Sequence, residues 1–249
     1  MNNKSNKVNA AITIIGNEIL SGRTQDTNLT YISKWLNTLG VRVEEVRVIP
    51  DDEKIIIRNV NELRKKFNYV FTTGGIGPTH DDITTESVAK AFNLKYVYHK
   101  EAYSLLEKYY SPEKFNEGRK KMAKLPSKSK LIYNPSSGAP GFIVENVFCL
   151  PGVPSILRSM LGGLKNEIAG GKTILSKTVN LKTVESEIAK SLTEVQKKNK
   201  DIEIGSYPFF RSGKIGVSIV LRSENQKKID KCTLEILRFV SKKNISLID

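Results

Sequence analysis

The run Thr72-Thr73-Gly74-Gly75-Ile76-Gly77-Pro78-Thr79-His80-Asp81-Asp82-Ile83-Thr84 joins three glycines to an acidic pair. Glycine lets a backbone approach a phosphate with no Cβ in the way, and a helix that follows adds partial positive charge at its N-terminus. Carboxylates beside a phosphate repel it unless a divalent cation bridges them. The run therefore reads as a site for a phosphate and a divalent cation, with Gly74, Gly75 and Gly77 as the cradle, Thr79 as a further contact and Asp81 and Asp82 as carboxylates that hold a metal or orient a water. Simpler readings stand beside this one. Gly-Gly-x-Gly also makes a tight strand-to-helix turn, Thr79 also satisfies a turn, and an aspartate before Ile83-Thr84-Thr85 also caps a helix. The run is neither the G-x-G-x-x-G dinucleotide fingerprint nor a P-loop ending in Gly-Lys-Ser/Thr.

Other chemistry-bearing residues fall where strands are expected to end. Asp51 and Asp52 follow Pro50, and Gly16, Asn17, Glu18, Asp26 and Asn28 follow the first apolar run. Parallel strands bring their carboxyl ends to one rim. Several carboxylates sharing a rim need metal ions, raised pKa values or basic partners. Asp51, Asp82, Glu18 and Asp26 are thus the expected metal carboxylates, although Asp51 or Asp52 also suits a helix N-cap before Glu53. The loops Asn134-Pro135-Ser136-Ser137-Gly138-Ala139-Pro140-Gly141 and Pro151-Gly152-Val153-Pro154 are rigid and poor in side chains. Asn28, Asn134, Gly138, Ala139, Pro140, Gly141, Pro151 and Gly152 accordingly complete the expected ligand wall, against the alternative of ordinary turns. His80 reads as a surface turn histidine, against the alternatives of a proton shuttle or a metal ligand, and Trp35 as packing.

The elements that must hold these residues alternate. Val8 to Ile15 is a continuous apolar strand; Leu29, Ile32, Leu36 and Leu39 mark a helix closed by Gly40; Val41 to Ile49 is a strand; and Ile56, Val60, Leu63 and Phe67 mark a second helix before the strand at Tyr69 to Phe71. This succession predicts a three-layer, doubly wound α/β fold with a mostly parallel sheet. After it, helices are expected at Glu101 to Tyr110, Pro112 to Lys124 and Val153 to Ile168, with short strands between. The Gly170-Gly171 pair is the expected boundary, giving domains 8–170 and 171–249, the second a small β-α-β-β-α module with a turn at Arg211-Ser212-Gly213.

Composition narrows the function classes. The 249 residues are 39% hydrophobic without an apolar run near membrane-spanning length, and no membrane association is expected. Met1 to Asn9 reads as a loose start with no signal-peptide core. Cys149 and Cys232 suit buried thiols in a reducing cytoplasm. The net charge of +14 comes largely from lysines spread along the chain, Lys120, Lys121 and Lys124, Lys197, Lys198 and Lys200, Lys227, Lys228 and Lys231, with few interleaved aromatics. That pattern suits a solvated face or attraction of a phosphorylated substrate better than nucleic-acid reading.

Gly16-Asn17-Glu18-Ile19-Leu20-Ser21-Gly22, Asp26-Thr27-Asn28, Pro50-Asp51-Asp52, the Thr73 to Thr84 run, Asn134 to Phe142 and Leu150 to Pro154 resemble, in order, the motifs of the molybdopterin-binding (MoaB/Mog-type) domain family. The version they resemble most is the amino-terminal part of CinA-like competence/damage-inducible proteins. The resemblance implies a rim that binds a phosphorylated small molecule, either molybdopterin or a dinucleotide, with Mg²⁺, Mn²⁺ or Co²⁺, and with Asp82 and Asp52 as catalytic carboxylates. For CinA-like members it implies metal-dependent hydrolysis of a dinucleotide pyrophosphate such as ADP-ribose or FAD, and for molybdenum-cofactor members adenylyl transfer or binding of the pterin. It further implies a homo-oligomer, and the nicotinamide-nucleotide deamidase activity of longer members is expected to be absent. Asn17 departs from the aspartate of many members, and Ile156-Leu157 from a more usual acidic or methionine pair.

Overall fold

The computed structural model describes residues 7–211 and 213–248. Most of the Met1 to Asn9 segment and Ser212 of the expected turn lie outside them, while Val8 and Asn9 belong to the first strand. The chain divides into two compact units, Met1–Gly171 and Lys172–Asp249.

In the first unit, β1 (Val8–Ile15) buries its last six residues, as a strand covered on both faces must. A four-residue helix, α1 (Asn17–Leu20), precedes α2 (Asn28–Thr38), whose Asn28, Ile32 and Leu36 repeat every fourth residue on the buried side. Gly40, at φ +72°, ends α2 in the left-handed conformation and turns the chain into β2 (Val41–Ile49), which lies parallel to β1. Next, α3 (Glu53–Lys66) returns the chain to β3 (Tyr69–Thr73), parallel to β1 on its other side. Ile32 and Leu36 of α2 pack with Ala10, Ile12 and Ile14, whereas Ile56, Val60 and Leu63 of α3 pack with Ala11 and Ile15. Alternate residues of β1 therefore face opposite helical layers.

The chain continues through α4 (Thr84–Ala91), β4 (Tyr96–Tyr98), α5 (Lys100–Tyr109), α6 (Glu117–Lys121), β5 (Lys124–Pro126), β6 (Lys130–Ile132), β7 (Gly141–Val144), β8 (Val147–Leu150) and α7 (Pro154–Leu161). The six-stranded sheet has the order β2-β1-β3-β8-β7-β6; its first four strands are parallel, and β7 and β6 are antiparallel additions. The fold is thus the three-layer, mostly parallel α/β architecture expected. Two local expectations need correction. Pro112 to Lys124 is not one helix: a 3₁₀ turn at Pro112–Lys114 and the short α6 lead into β5, which pairs with β4. The helix expected up to Ile168 stops at Leu161 and tightens into a 3₁₀ segment, Gly162–Glu167, where Gly162 and Gly163 weaken the α conformation.

The second unit contains β9 (Leu175–Leu181), α8 (Glu185–Lys198), β10 (Glu203–Arg211), β11 (Lys214–Ser223) and α9 (Gln226–Lys242). Its sheet is antiparallel in the order β10-β11-β9. Ile188 and Val195 of α8 and Ile229, Cys232 and Ile236 of α9 share one core with Leu181, Val217, Ile219 and Leu221, which makes this a small α+β domain. Burial pushes the Cys149 thiol up to about 12 and the Cys232 thiol up to about 11, so both stay protonated near neutral pH. No helix among the described residues is long and apolar enough to cross a membrane.

Phe71 is fully buried, stacked on Phe148 at 4.9 Å and met edge-on by Trp35 at 6.1 Å. Phe71→Ala should cost the first unit about 3–5 kcal/mol. Urea unfolding followed by fluorescence of the single tryptophan, Trp35, reads that loss.

Candidate functional site at the strand ends

The four parallel strands deliver the loops at Gly16, Pro50 to Asp52, Gly74 and Pro151-Gly152 to one edge. The β6–β7 loop reaches the same edge because β7 runs antiparallel to β8, with Phe142 opposite Cys149. Gly74 has φ +99°, and a Cβ there would lie 2.1 Å from the Ile15 carbonyl oxygen. Its N–H donates to the Leu150 carbonyl at 3.1 Å. At Gly75, φ +68°, a Cβ would meet the Thr84 hydroxyl at 2.1 Å; at Gly77 it would meet Asp82 Oδ2 at 2.7 Å. Internal packing thus accounts for each glycine, as the tight-turn reading requires. The same turn also leaves donors unclaimed: among the described residues, no hydrogen bond takes up the N–H of Gly75, Ile76 or Gly77.

Asp82 does not cap α4. The cap residue is Ile83, without a side-chain bond, and Asp82 Oδ2 instead accepts from the Thr79 N–H at 2.8 Å and from the Thr79 hydroxyl. Lys121 of α6 donates its Nζ to the carbonyls of Thr79 and, at 3.0 Å, Asp82. That cation holds the acidic turn from 39 residues away, and nothing in the local sequence signals it. Asp52 is an N-cap, its Oδ1 accepting from the Ile55 N–H at 2.9 Å, so the simpler reading of this residue is realised. Asp51 Oδ2 accepts from the Asn17 N–H at 2.9 Å and ties the β2 loop to the β1 loop. Asp26 Oδ1 accepts from the Leu29 N–H at 2.9 Å and steadies the start of α2. Glu18 is exposed on α1.

Asp26, Asp51, Asp52 and Asp82 therefore each spend one oxygen within the rim. Among the described residues, however, no three His, Cys, Asp or Glu side chains group closely enough to hold a metal ion. The expected metal carboxylates do not form a cage made by protein alone. A small, hard cation needs no such cage, because it keeps several waters and takes one or two carboxylates together with ligand phosphates.

Asn28 is 3% exposed, donates Nδ2 to the Gly152 carbonyl at 2.7 Å and leaves its Oδ1 buried without a partner. It pins the β8 loop over the strand ends, beside a small cleft of about 60 Å³ lined also by Glu18, Asp26 and Thr73. Asn134 builds the β6–β7 loop. Its Nδ2 donates to Ser137 Oγ and to the Ala139 carbonyl at 2.7 and 2.8 Å, and its Oδ1 accepts from the N–H groups of Ser136 and Ser137. Gly138, φ +74°, leaves space for the Tyr109 ring, and Gly141 for the Cys149 carbonyl. Ala139 is half-buried and Pro140 is buried, and neither lines the neighbouring cleft; Tyr109 and Tyr133, which sequence reasoning did not single out, line that cleft of about 410 Å³ together with Asn134 and Gly138. Pro151 enters the Gly152 loop half-buried, and His80 is exposed. Trp35 packs in the core, as expected, and His99 Nδ1 caps α5 by accepting from the Ala102 N–H at 3.4 Å.

A three-layer sheet with a glycine turn and acidic loops at its parallel strand ends places the chain in a known class: it belongs to the molybdopterin-binding domain family, which residues 11–169 match under the description "Probable molybdopterin binding domain". More particularly, its similarity is to CinA-like proteins. A solved structure of the protein CinA from Thermoplasma acidophilum is 33% identical, with a TM-score of 0.58, over 64% of this chain and 98% of that one. A Clostridium botulinum protein named "Putative competence-damage inducible protein" is 32% identical over 235 residues, which are 88% of this chain. A Caenorhabditis elegans protein named "Probable FAD synthase" is 29% identical over 89% of this chain. The chain spans 56% of the bacterial relative and 48% of the nematode one. Residues 173–248 match a second family, "FAD synthase, middle domain".

Two substitutions test the rim. Gly74→Ala should lower the stability of the first unit by about 1–3 kcal/mol, since both φ and the Ile15 carbonyl oppose a side chain. Asp52→Ala should cost about 1 kcal/mol through the lost cap while Asp52→Asn retains most of it; thermal melting of both variants checks this.

Proposed function

We propose that the chain hydrolyses the pyrophosphate bond of a dinucleotide such as ADP-ribose or FAD at the strand-end rim, with Mg²⁺, Mn²⁺ or Co²⁺ as cofactor. The observation that carries this reading is the set of free N–H groups at Gly75, Ile76 and Gly77, flanked by carboxylates that each keep one oxygen uncommitted. Backbone donors fixed in a rigid turn bind phosphate oxygens with little reorganisation. Asp82, with Asp51 or Asp52 across the rim, would hold the cation, which when bound neutralises phosphate charge and polarises a water. The chain's own part is positional. Thr79 and Lys121 fix the Asp82 turn, Asp51 joins the loops after β1 and β2, and Asn28 holds the Gly152 loop across the strand ends. Addition of water across the P–O–P linkage of ADP-ribose gives AMP and ribose 5-phosphate, and across that of FAD gives AMP and FMN. The match of residues 173–248 to an FAD synthase domain supports a flavin or other nucleotide substrate.

A second reading, binding of molybdopterin with or without adenylyl transfer, is favoured by the description of the family that residues 11–169 match. Pterin fluorescence in the supernatant of the denatured, purified protein would support it.

Purified protein should release AMP from ADP-ribose or FAD in the presence of at least one of the three cations, and chelation should stop the reaction. Asp82→Asn should lower kcat/KM by roughly 100-fold or more while leaving the melting temperature close to that of the parent. Absence of AMP release with every cation and both substrates would overturn the hydrolytic reading.

A further inference from the structure

In sequence, Lys197, Lys198 and Lys200 stand two strands away from Lys228 and Lys231. In the second unit they meet. The carboxyl end of α8, the loop after it and the first turns of α9 border an open hollow of about 320 Å³ lined by these five exposed lysines. The one acidic residue lining it, Asp201, is already paired with Lys228, Oδ2 to Nζ, at 2.6 Å. Among the described residues, Lys197, Lys198, Lys200 and Lys231 make no ion pair.

Solvated surface charge accounts for only part of this arrangement. Lys197 and Lys198 occupy the last turn of α8, where the helix dipole favours cations. Lys228 and Lys231 occupy the opposite situation: they lie in the first two turns of α9, whose first turn has no acidic residue. There the dipole disfavours positive charge, and the cations of α8 add to the repulsion. An anion seated in the hollow would relieve both costs through its charge; the α9 N-terminus is already capped by Asn225, whose Oδ1 accepts from the Lys228 N–H at 3.3 Å, so the lysine side chains would be its ligands.

The hollow also constrains the kind of anion. Its volume is in the range of small-molecule pockets. No aromatic residue lines it, so it offers no platform for stacking bases, which sequence-tolerant binding of single-stranded nucleic acid ordinarily uses. Lysines present compact point charges with rotatable donors and suit terminal phosphates of varied orientation. We infer that the second unit carries an anion site, separate from the strand-end rim, that binds a small polyphosphorylated ligand through its phosphate groups.

The test uses the full chain at low salt and two probes, inorganic tripolyphosphate and ATP. Lysine acetylation read by mass spectrometry, with and without each probe, should show Lys197, Lys228 and Lys231 protected while lysines elsewhere in the second unit, such as Lys177 and Lys190, react as before. Lys228→Gln combined with Lys231→Gln should weaken tripolyphosphate binding at least about tenfold by calorimetry, through the loss of two charge-assisted contacts. Tighter binding of ATP than of tripolyphosphate would identify a nucleotide's phosphate tail as the ligand, and equal binding a free oligophosphate. Uniform protection of all lysines, protection only by a long oligonucleotide, or unchanged affinity in the double variant would overturn the inference.

Discussion

The Ile15 carbonyl oxygen occupies the space a side chain at position 74 would need, and the geometry of the strand-end rim follows from that contact. β1 and β3 close on each other at their carboxyl ends more tightly than two side-chain-bearing residues would allow. Gly74 is bound on its other side by the Leu150 carbonyl, and Gly152 approaches its Cα so closely that a Cβ would lie 3.4 Å away. One position further round the rim, the Gly16 N–H donates to the Ile49 carbonyl at 3.2 Å. The four parallel strands are thereby stitched together just past the end of their ladders. Glycine makes this possible at an entropic cost of roughly 1 kcal/mol per position, and the return is a turn held closely by its neighbours on both sides.

The carboxylates on this rim have structural roles that would leave room for the proposed chemical ones. A helix N-cap uses one oxygen of an aspartate and fixes the direction of the other, which is what a cation ligand requires. Asp52 is held by the first turn of α3, Asp51 by the Asn17 N–H and Asp82 by Thr79. The small helical insert contributes here as well: α6 exists in a part of the chain remote from the sheet, yet its Lys121 binds two carbonyls of the acidic turn. Removing that lysine would leave the Thr79 to Asp82 turn supported only by its own short bonds.

The sheet and its helices were legible because their signals are local. β1 and β2 fall on the apolar, β-branched runs Val8–Ile15 and Val41–Ile49, and the buried stripe of α2 repeats every fourth residue. The failures are long-range. Pro112 to Lys124 is expected as a helix, but β5 forms at its end because β4 offers it a partner nearly thirty residues earlier, from Tyr96 opposite Pro126 to Tyr98 opposite Lys124. Asp82 illustrates the same limit at the site: sequence allowed a helix cap or a metal carboxylate, whereas the structure gives its Oδ2 to Thr79 and leaves the cap to Ile83. The tight-turn reading of the 74–77 run was open to sequence, but the Ile15 carbonyl and Thr84 hydroxyl that demand glycine at positions 74 and 75 lie in parts of the chain that no spacing rule connects.

Charge shows the limit most plainly. A lysine count gives a field and its sign, which bear on solubility and on attraction of anions, but not the places where that field is concentrated. Lys197 and Lys231 appeared scattered because sequence distance was the only distance at hand; the packing of α8 and α9 on one face of the small sheet brings their ends together. Once they are together, the orientation of each helix decides what the charges mean. The same side chain stabilises the end of α8 and opposes the start of α9, so a cluster that is bland by composition acquires an electrostatic cost through topology. That cost is sustained by the apolar contacts of Ile188, Ile229 and Ile236 beneath it, and it is the kind of local conflict between stability and charge that marks a surface shaped for a ligand.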